Sequence, residues 1–168
     1  MAELKSNKKA LDSQKKIYKS LRRILLVKPL NEVTIADIKE DCGVSRSTFY
    51  RNFNNVIDVL DVMLEFFYNR YLTQKVGQEN QLLFFFQYWV KHRDLIHIIS
   101  HQNMGLIKNC IKRHEPSNLD NIYLTDLKYS IMTSLLSRWS ESKKETPEEM
   151  EQLTRTILNH KCIDVLLS

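Results

Sequence analysis

The stretch Ser45-Arg46-Ser47-Thr48-Phe49-Tyr50-Arg51-Asn52 brings two guanidiniums, three aliphatic hydroxyls, a phenol and an amide into one short run. Groups of this kind donate hydrogen bonds to phosphate oxygens, and an arginine matches the paired O6 and N7 acceptors of a guanine edge. The chemistry they suit is recognition of a polyanion rather than the making or breaking of a bond.

Other reactive residue types form weaker patterns. His97 and His101 stand four apart, as two ligands on one helix face would, with His92, Asp94 or Cys110 as third-ligand candidates. Two histidines on a partly polar helix are more often structural, so no metal is expected. Cys42, Cys110 and Cys162 are odd in number and form no C-x-x-C pair. Neither a disulfide framework nor a cysteine-rich zinc site is indicated, and a reducing cytoplasm fits. H-E-x-x-H, G-x-S-x-G and the P-loop are all missing. No glutamate is followed by histidine at the third position, which the competing class, a metal-dependent helical-bundle enzyme, characteristically requires. The expectation is no enzyme and no cofactor.

The elements that must position the Ser45–Asn52 run are short helices. From Asp12 to Val27, Ile17, Leu21, Ile24 and Leu25 recur at helical spacing among Lys15, Lys16, Lys19, Arg22 and Arg23. Lys28-Pro29 ends that helix, because a residue before proline avoids the α region. Thr34 and Asp37 read as a T-x-x-D capping box opening a second helix with Ile35 and Ile38 on its inner face. Gly43 supplies the positive φ of a sharp turn, and Ser45 caps a third helix. Two short helices across a glycine turn are a helix-turn-helix, whose second helix enters the major groove of DNA. Arg46 and Ser47, at its start, are the candidates for base edges. For Arg51 a salt bridge back to Glu40 or Asp41 is an equal alternative.

Charge follows the same division. The 168 residues carry a net charge of +5. Residues 1–60 hold 12 basic and 7 acidic side chains, the whole of that excess, while the remainder holds 13 of each sign. A basic segment joined to a neutral one suits a polyanion-binding module attached to a body with another task. With 3 glycines in 168 residues, against ~7% in average proteins, glycine-rich phosphate loops and tight hairpins are improbable. With 43% hydrophobic residues the chain can bury a core, and no apolar run approaches the ~20 residues of a membrane span. The expected class is all-α and soluble, with neither signal peptide nor membrane partner. Its expected parts are a flexible basic arm (1–11), a three-helix helix-turn-helix domain (12–54) and an antiparallel helical-bundle body (55–168).

The run from Thr34 to Phe53, with G-V-S-x-x-T-x-Y-x-x-F at Gly43–Phe53, resembles the DNA-binding domain of TetR-type (tetracycline-repressor-like) transcriptional regulators. The likeness spans roughly residues 12–60. Departures are Cys42 for the usual alanine, Ser47 for glycine or alanine, Asn52 for a common histidine and Val56 for a phosphate-binding lysine. The resemblance implies a homodimer reading a pseudo-palindromic operator on double-stranded DNA, with Thr34, Thr48, Tyr50 and Asn52 at phosphates. It implies a repressor first, and alternatively an activator or co-regulator controlled by a protein partner. A helical interaction module that never touches DNA is a further alternative, and it leaves the basic helix-turn-helix unexplained.

In the body, Asn55 and Asp58 open a helix running to about Tyr71, and further helices are expected at about 79–92, 94–101, 103–114, 118–141 and 147–167. By resemblance, the last two helices pair with those of a second subunit. That places Tyr123, Leu127, Ile131, Leu135, Trp139, Leu153 and Ile157 at a dimer interface, with an internal core role as the alternative. By the same resemblance, Phe67, Phe85, Trp89, Met104 and Ile107 line a pocket for an unidentified small-molecule effector, against an equal alternative of plain core packing.

Overall fold

The computed structural model describes residues 7–103, 105–114 and 122–159. Every regular element among them is helical. Helix α1 (Lys8–Ile24) starts where Asn7 accepts a hydrogen bond from the Lys9 amide at 3.0 Å. The expected arm to residue 11 is therefore too long, because an asparagine cap was available earlier than the first apolar residues suggested. The helix also ends before Lys28-Pro29. Amides of residues 25–28 fold back onto Leu21, Arg23 and Ile24 in a tightened last turn.

Helices α2 (Ile35–Cys42) and α3 (Arg46–Asn52) complete a three-helix head. Ile17 and Leu21 of α1, Ile38 of α2, and Phe49 with Phe53 at α3 are buried together. Burial of each such side chain contributes about 1.5–3 kcal/mol. The long helix α4 (Val56–Lys75) opens on Asn55, whose side chain accepts from the Asp58 amide at 2.9 Å. Its 20 residues span about 30 Å. Val59, Leu60 and Leu64 carry the head's core into the body without a break.

The body continues with α5 (Gln81–Trp89), a 3₁₀ turn (Val90–His92), α6 (Arg93–Asn103), α7 (Gly105–His114), α8 (Ile122–Ser142) and α9 (Pro147–Asn159). The single helix expected at 79–92 is thus split, starting at the Asn80 cap and tightening after Trp89. For α9, Thr146 and Glu149 form a reciprocal capping box, with Oγ1 and a carboxylate oxygen accepting from each other's amides at 3.2 and 2.7 Å. α5 packs on α9, α6 on α8, and α4 on α5 and α7. Phe86, Trp89, Leu95, Ile99 and Tyr129 form the body's buried centre. None of the helices, among the described residues, is long and apolar enough to cross a membrane.

Candidate nucleic-acid interface

The turn between α2 and α3 is fixed from both ends. Thr34 and Asp37 form the expected capping box, and Asp37 also takes the Lys28 ammonium at 2.8 Å. Lys28 and the Thr34 hydrogen bonds pull the Asp37 carboxyl down to about 2. At the other end, Gly43 has φ +69°, and its amide donates to the Lys39 carbonyl at 2.8 Å. Ser45 then starts α3, its hydroxyl oxygen accepting from the Thr48 amide at 3.2 Å. The Ser45 hydroxyl also lies 2.9 Å from Thr48 Oγ1 and 3.0 Å from Ser47 Oγ.

This framework turns Phe49 inward and Ser45, Arg46, Ser47, Tyr50 and Arg51 outward. Thr34 is exposed too, and Thr48 is half-buried. The Arg46 guanidinium sits 5.8 Å from the centre of the Tyr50 ring, close enough for cation–π attraction, so the ring orients the arginine. Tyr50 in turn packs edge-on against Phe49, with ring centres 5.8 Å apart. The base-edge candidate is thereby anchored to the hydrophobic core through two aromatic rings.

Two expectations need revision here. Asn52 does not join the outward set: it is 7% exposed, and its Nδ2 donates to the Thr48 carbonyl at 2.7 Å. One turn after Thr48, at the end of so short a helix, its amide satisfies a terminal carbonyl instead of facing solvent. Asp41, offered as a partner for Arg51, is taken by Arg23 from α1. Arg51 donates to Thr48 Oγ1 at 2.8 Å. The Arg23 contact holds the Asp41 carboxyl below its ordinary range.

Sequence reading also missed Lys28 as a buttress of the α2 cap. Its neighbour Pro29 drew attention as a helix stop, and nothing in the local spacing points from Lys28 to Asp37.

In the body, Phe85, Trp89 and Ile107 are buried as core, and Phe67 is half-buried. Met104 lies outside the described residues. A cavity of about 230 Å³ does lie between α4, α5, α7 and α8, but Phe85 is the one expected residue on its wall, beside Tyr71, Ile111 and Tyr129. Trp89 stacks against Tyr68, with ring centres 6.4 Å apart.

At the expected dimer face, Leu127 is 53% and Leu153 46% exposed, Ile157 is exposed, and Ile131 and Leu135 are half-buried. The Tyr123 side chain lies outside the described residues. Trp139 is a correction: it is 2% exposed, donates through Nε1 to the Glu145 carbonyl at 2.9 Å, and lies under the Arg93 guanidinium. Its four-residue spacing from Leu135 suggested the outer stripe, but α8 turns it onto α5, edge-on to Phe86.

His97 and His101 do share a face, with ring centres 4.2 Å apart and His101 Nδ1 2.9 Å from the His97 carbonyl. His101 Nε2 lies 3.7 Å from Glu141 Oε1, while Cys110, one of the third-ligand candidates, lies elsewhere with Glu65 and His114. Burial, His101 and Lys143 depress the His97 pKa.

A helix-turn-helix head on a helical body defines the class of architecture. No family model and no curated protein matches the sequence. Solved structures do match. Lin0861 from Listeria innocua is 19% identical with a TM-score of 0.74, over 92% of this chain and 93% of that one. A TetR transcriptional regulator from Streptococcus agalactiae is 15% identical with a TM-score of 0.60, over 89% and 94%. The dihydroxyacetone kinase operon activator DhaS is 16% identical with a TM-score of 0.50, over 92% and 97%. This chain has the all-α TetR-type fold.

Proposed function

We propose that the protein is a non-enzymatic transcriptional regulator of the cytoplasm that binds double-stranded DNA as a homodimer. The observation that carries this reading is the outward display of Arg46, Ser47, Tyr50 and Arg51 on α3, immediately after the left-handed Gly43 turn. Arg46 and Ser47 read base edges. Thr34, Ser45, Thr48 and Tyr50 hold phosphates, helped by the free amides at the starts of α2 and α3. Confinement of the net positive charge to the first 60 residues supports the same assignment.

One seven-residue helix reads few base pairs. Two heads related by a twofold axis read a pseudo-palindrome with half-sites one helical turn or more apart. The exposed leucines of α8 and α9 support pairing of the bodies, because large apolar side chains on adjacent helices lose contact with water when a second copy covers them. Repression by occupying the operator is the simplest mode for such a dimer, with release by a small-molecule effector in the body. The name of DhaS favours activation as a second reading.

Titration of the full chain against duplex DNA at several salt concentrations tests the proposal. Phosphate neutralisation predicts a steep linear fall of log affinity with log salt. Failure to bind any duplex at low salt would favour a helical module that never touches DNA.

A further inference from the structure

Helix α7 presents Cys110 and His114 four residues apart, towards Glu65 on α4. The Cys110 sulfur, a His114 ring nitrogen and a Glu65 carboxylate oxygen all lie within 4.8 Å of one another. Cys110 is 1% exposed, whereas His114 and Glu65 keep about a fifth of their side-chain surface in solvent. The cluster therefore has a buried sulfur floor and a mouth through which an ion can enter.

The surroundings already orient the ligands. Glu65 Oε2 accepts from Arg113 Nη2 at 2.6 Å and Nε at 3.0 Å. Arg113 Nη2 also donates to Asp61 Oδ1 at 2.9 Å. With Oε2 held by the guanidinium, Oε1 is left to contact His114 Nε2. A positioned carboxylate whose second oxygen is held by a neighbour is the outer-shell arrangement that tunes metal ligands.

Charge points the same way. Asp61 and Glu65 carry two negative charges and Arg113 one positive, so the two carboxylates keep one negative charge that the guanidinium does not offset. A divalent cation that displaces the thiol proton brings the group to neutrality. Ligand atoms around zinc sit at ~2.0–2.3 Å from the metal, which sets their mutual separations at roughly 3.3–3.8 Å. Reaching those separations requires the direct His114–Glu65 contact to open so that the ion sits between the nitrogen and the carboxylate oxygen.

We propose that Glu65, Cys110 and His114 form a three-ligand zinc site bridging α4 and α7, with water in the fourth position. Sulfur and imidazole together select zinc over magnesium or calcium, which take oxygen donors. On binding, Cys110 releases its thiol proton to solvent. The proton that bridges His114 Nε2 and Glu65 Oε1 is exchanged through solvent to Nδ1, leaving Nε2 and Oε1 to coordinate. This inference is independent of the DNA-binding reading.

The test is a cobalt(II) titration of the full chain, followed by competition with zinc. The proposal predicts one equivalent of cobalt, with the thiolate-to-cobalt charge-transfer band and the visible bands of tetrahedral cobalt. Zinc removes both and raises the melting temperature. Cys110→Ser abolishes the charge-transfer band. Because that residue is buried, the more exposed His114→Gln serves as a second variant, in which zinc affinity falls at least tenfold while the fold is retained. The inference is overturned if wild-type protein shows no charge-transfer band and no zinc-induced stabilisation. It is equally overturned if the band survives in folded Cys110→Ser, which would assign it to another cysteine.

Discussion

Arg22 of α1 donates to Asp94 of α6 at 2.6 Å, tying the helix-turn-helix head directly to the body. A second tie lies nearby, where the Leu30 amide donates to Gln102 Oε1 at 3.0 Å. Together with the unbroken core along α4, these contacts couple the position of the head to the packing of α6.

The Arg22–Asp94 pair is 39% and 65% exposed, so it stabilises by only about 0.2–1 kcal/mol. A double-mutant cycle with Arg22→Gln and Asp94→Asn, read by urea unfolding, should give a coupling energy in that range. A value near zero at low salt would mean that the pair does not link head to body in solution.

Gly43→Ala should destabilise the protein by about 1–2 kcal/mol, the cost of a left-handed backbone in a residue with a Cβ. An added Cβ at Gly43 meets no atom within 4 Å, so the loss comes from backbone strain and not from a clash. Gly43→Asn should lose less, because asparagine tolerates this conformation better. Equal losses in the two variants by chemical unfolding would remove the backbone explanation.

Asp37 gives a pH signature of defined sign. Its folded-state pKa, about 2, lies below the ~3.9 of an unfolded aspartate. The stabilisation it provides is complete above the unfolded value and is lost as pH falls through the folded one. Between about pH 4 and pH 2, Asp37→Asn should therefore show a shallower decline of stability than wild type. Thr34→Ala removes the other half of the capping box and should cost about 0.5–2 kcal/mol. Parallel wild-type and Asp37→Asn profiles across this window would show that the Lys28 contact is not formed in solution.

How far the sequence revealed this arrangement depended on the range of the interactions. The Thr34 box, the Gly43 turn and the Ser45 cap rest on residues three or four apart, and each stands where its spacing placed it. Asn52 escaped because a polar residue on an exposed-looking helix can fold back onto its own last turn. Trp139 escaped because a four-residue stripe does not show which side faces the core. The Glu65–Cys110–His114 cluster joins residues almost fifty positions apart, and no local pattern connects them. The Arg22–Asp94 tie was hidden for the same reason.

On DNA, Arg46→Ala should lower affinity for the preferred site by about 1–3 kcal/mol while barely changing binding to random duplex. Tyr50→Phe keeps the ring that orients Arg46 and removes the hydroxyl, so it should weaken both duplexes alike. Tyr50→Ala should combine the two effects. Equal losses on both duplexes for Arg46→Ala would take it off the base-reading list.

The apolar face on α8 and α9 predicts that Leu153→Asp shifts the protein towards monomer in sedimentation, without loss of helical content. An unchanged mass would place the dimer contact elsewhere.

Whether two copies of this head read DNA together is decided by selecting bound duplexes from a random pool with the full chain. A paired reader should recover a twofold-symmetric site whose half-sites lie one helical turn or more apart, with enrichment lost in Arg46→Ala. Recovery of no enriched sequence, or of a single asymmetric half-site bound by a monomer, would contradict it.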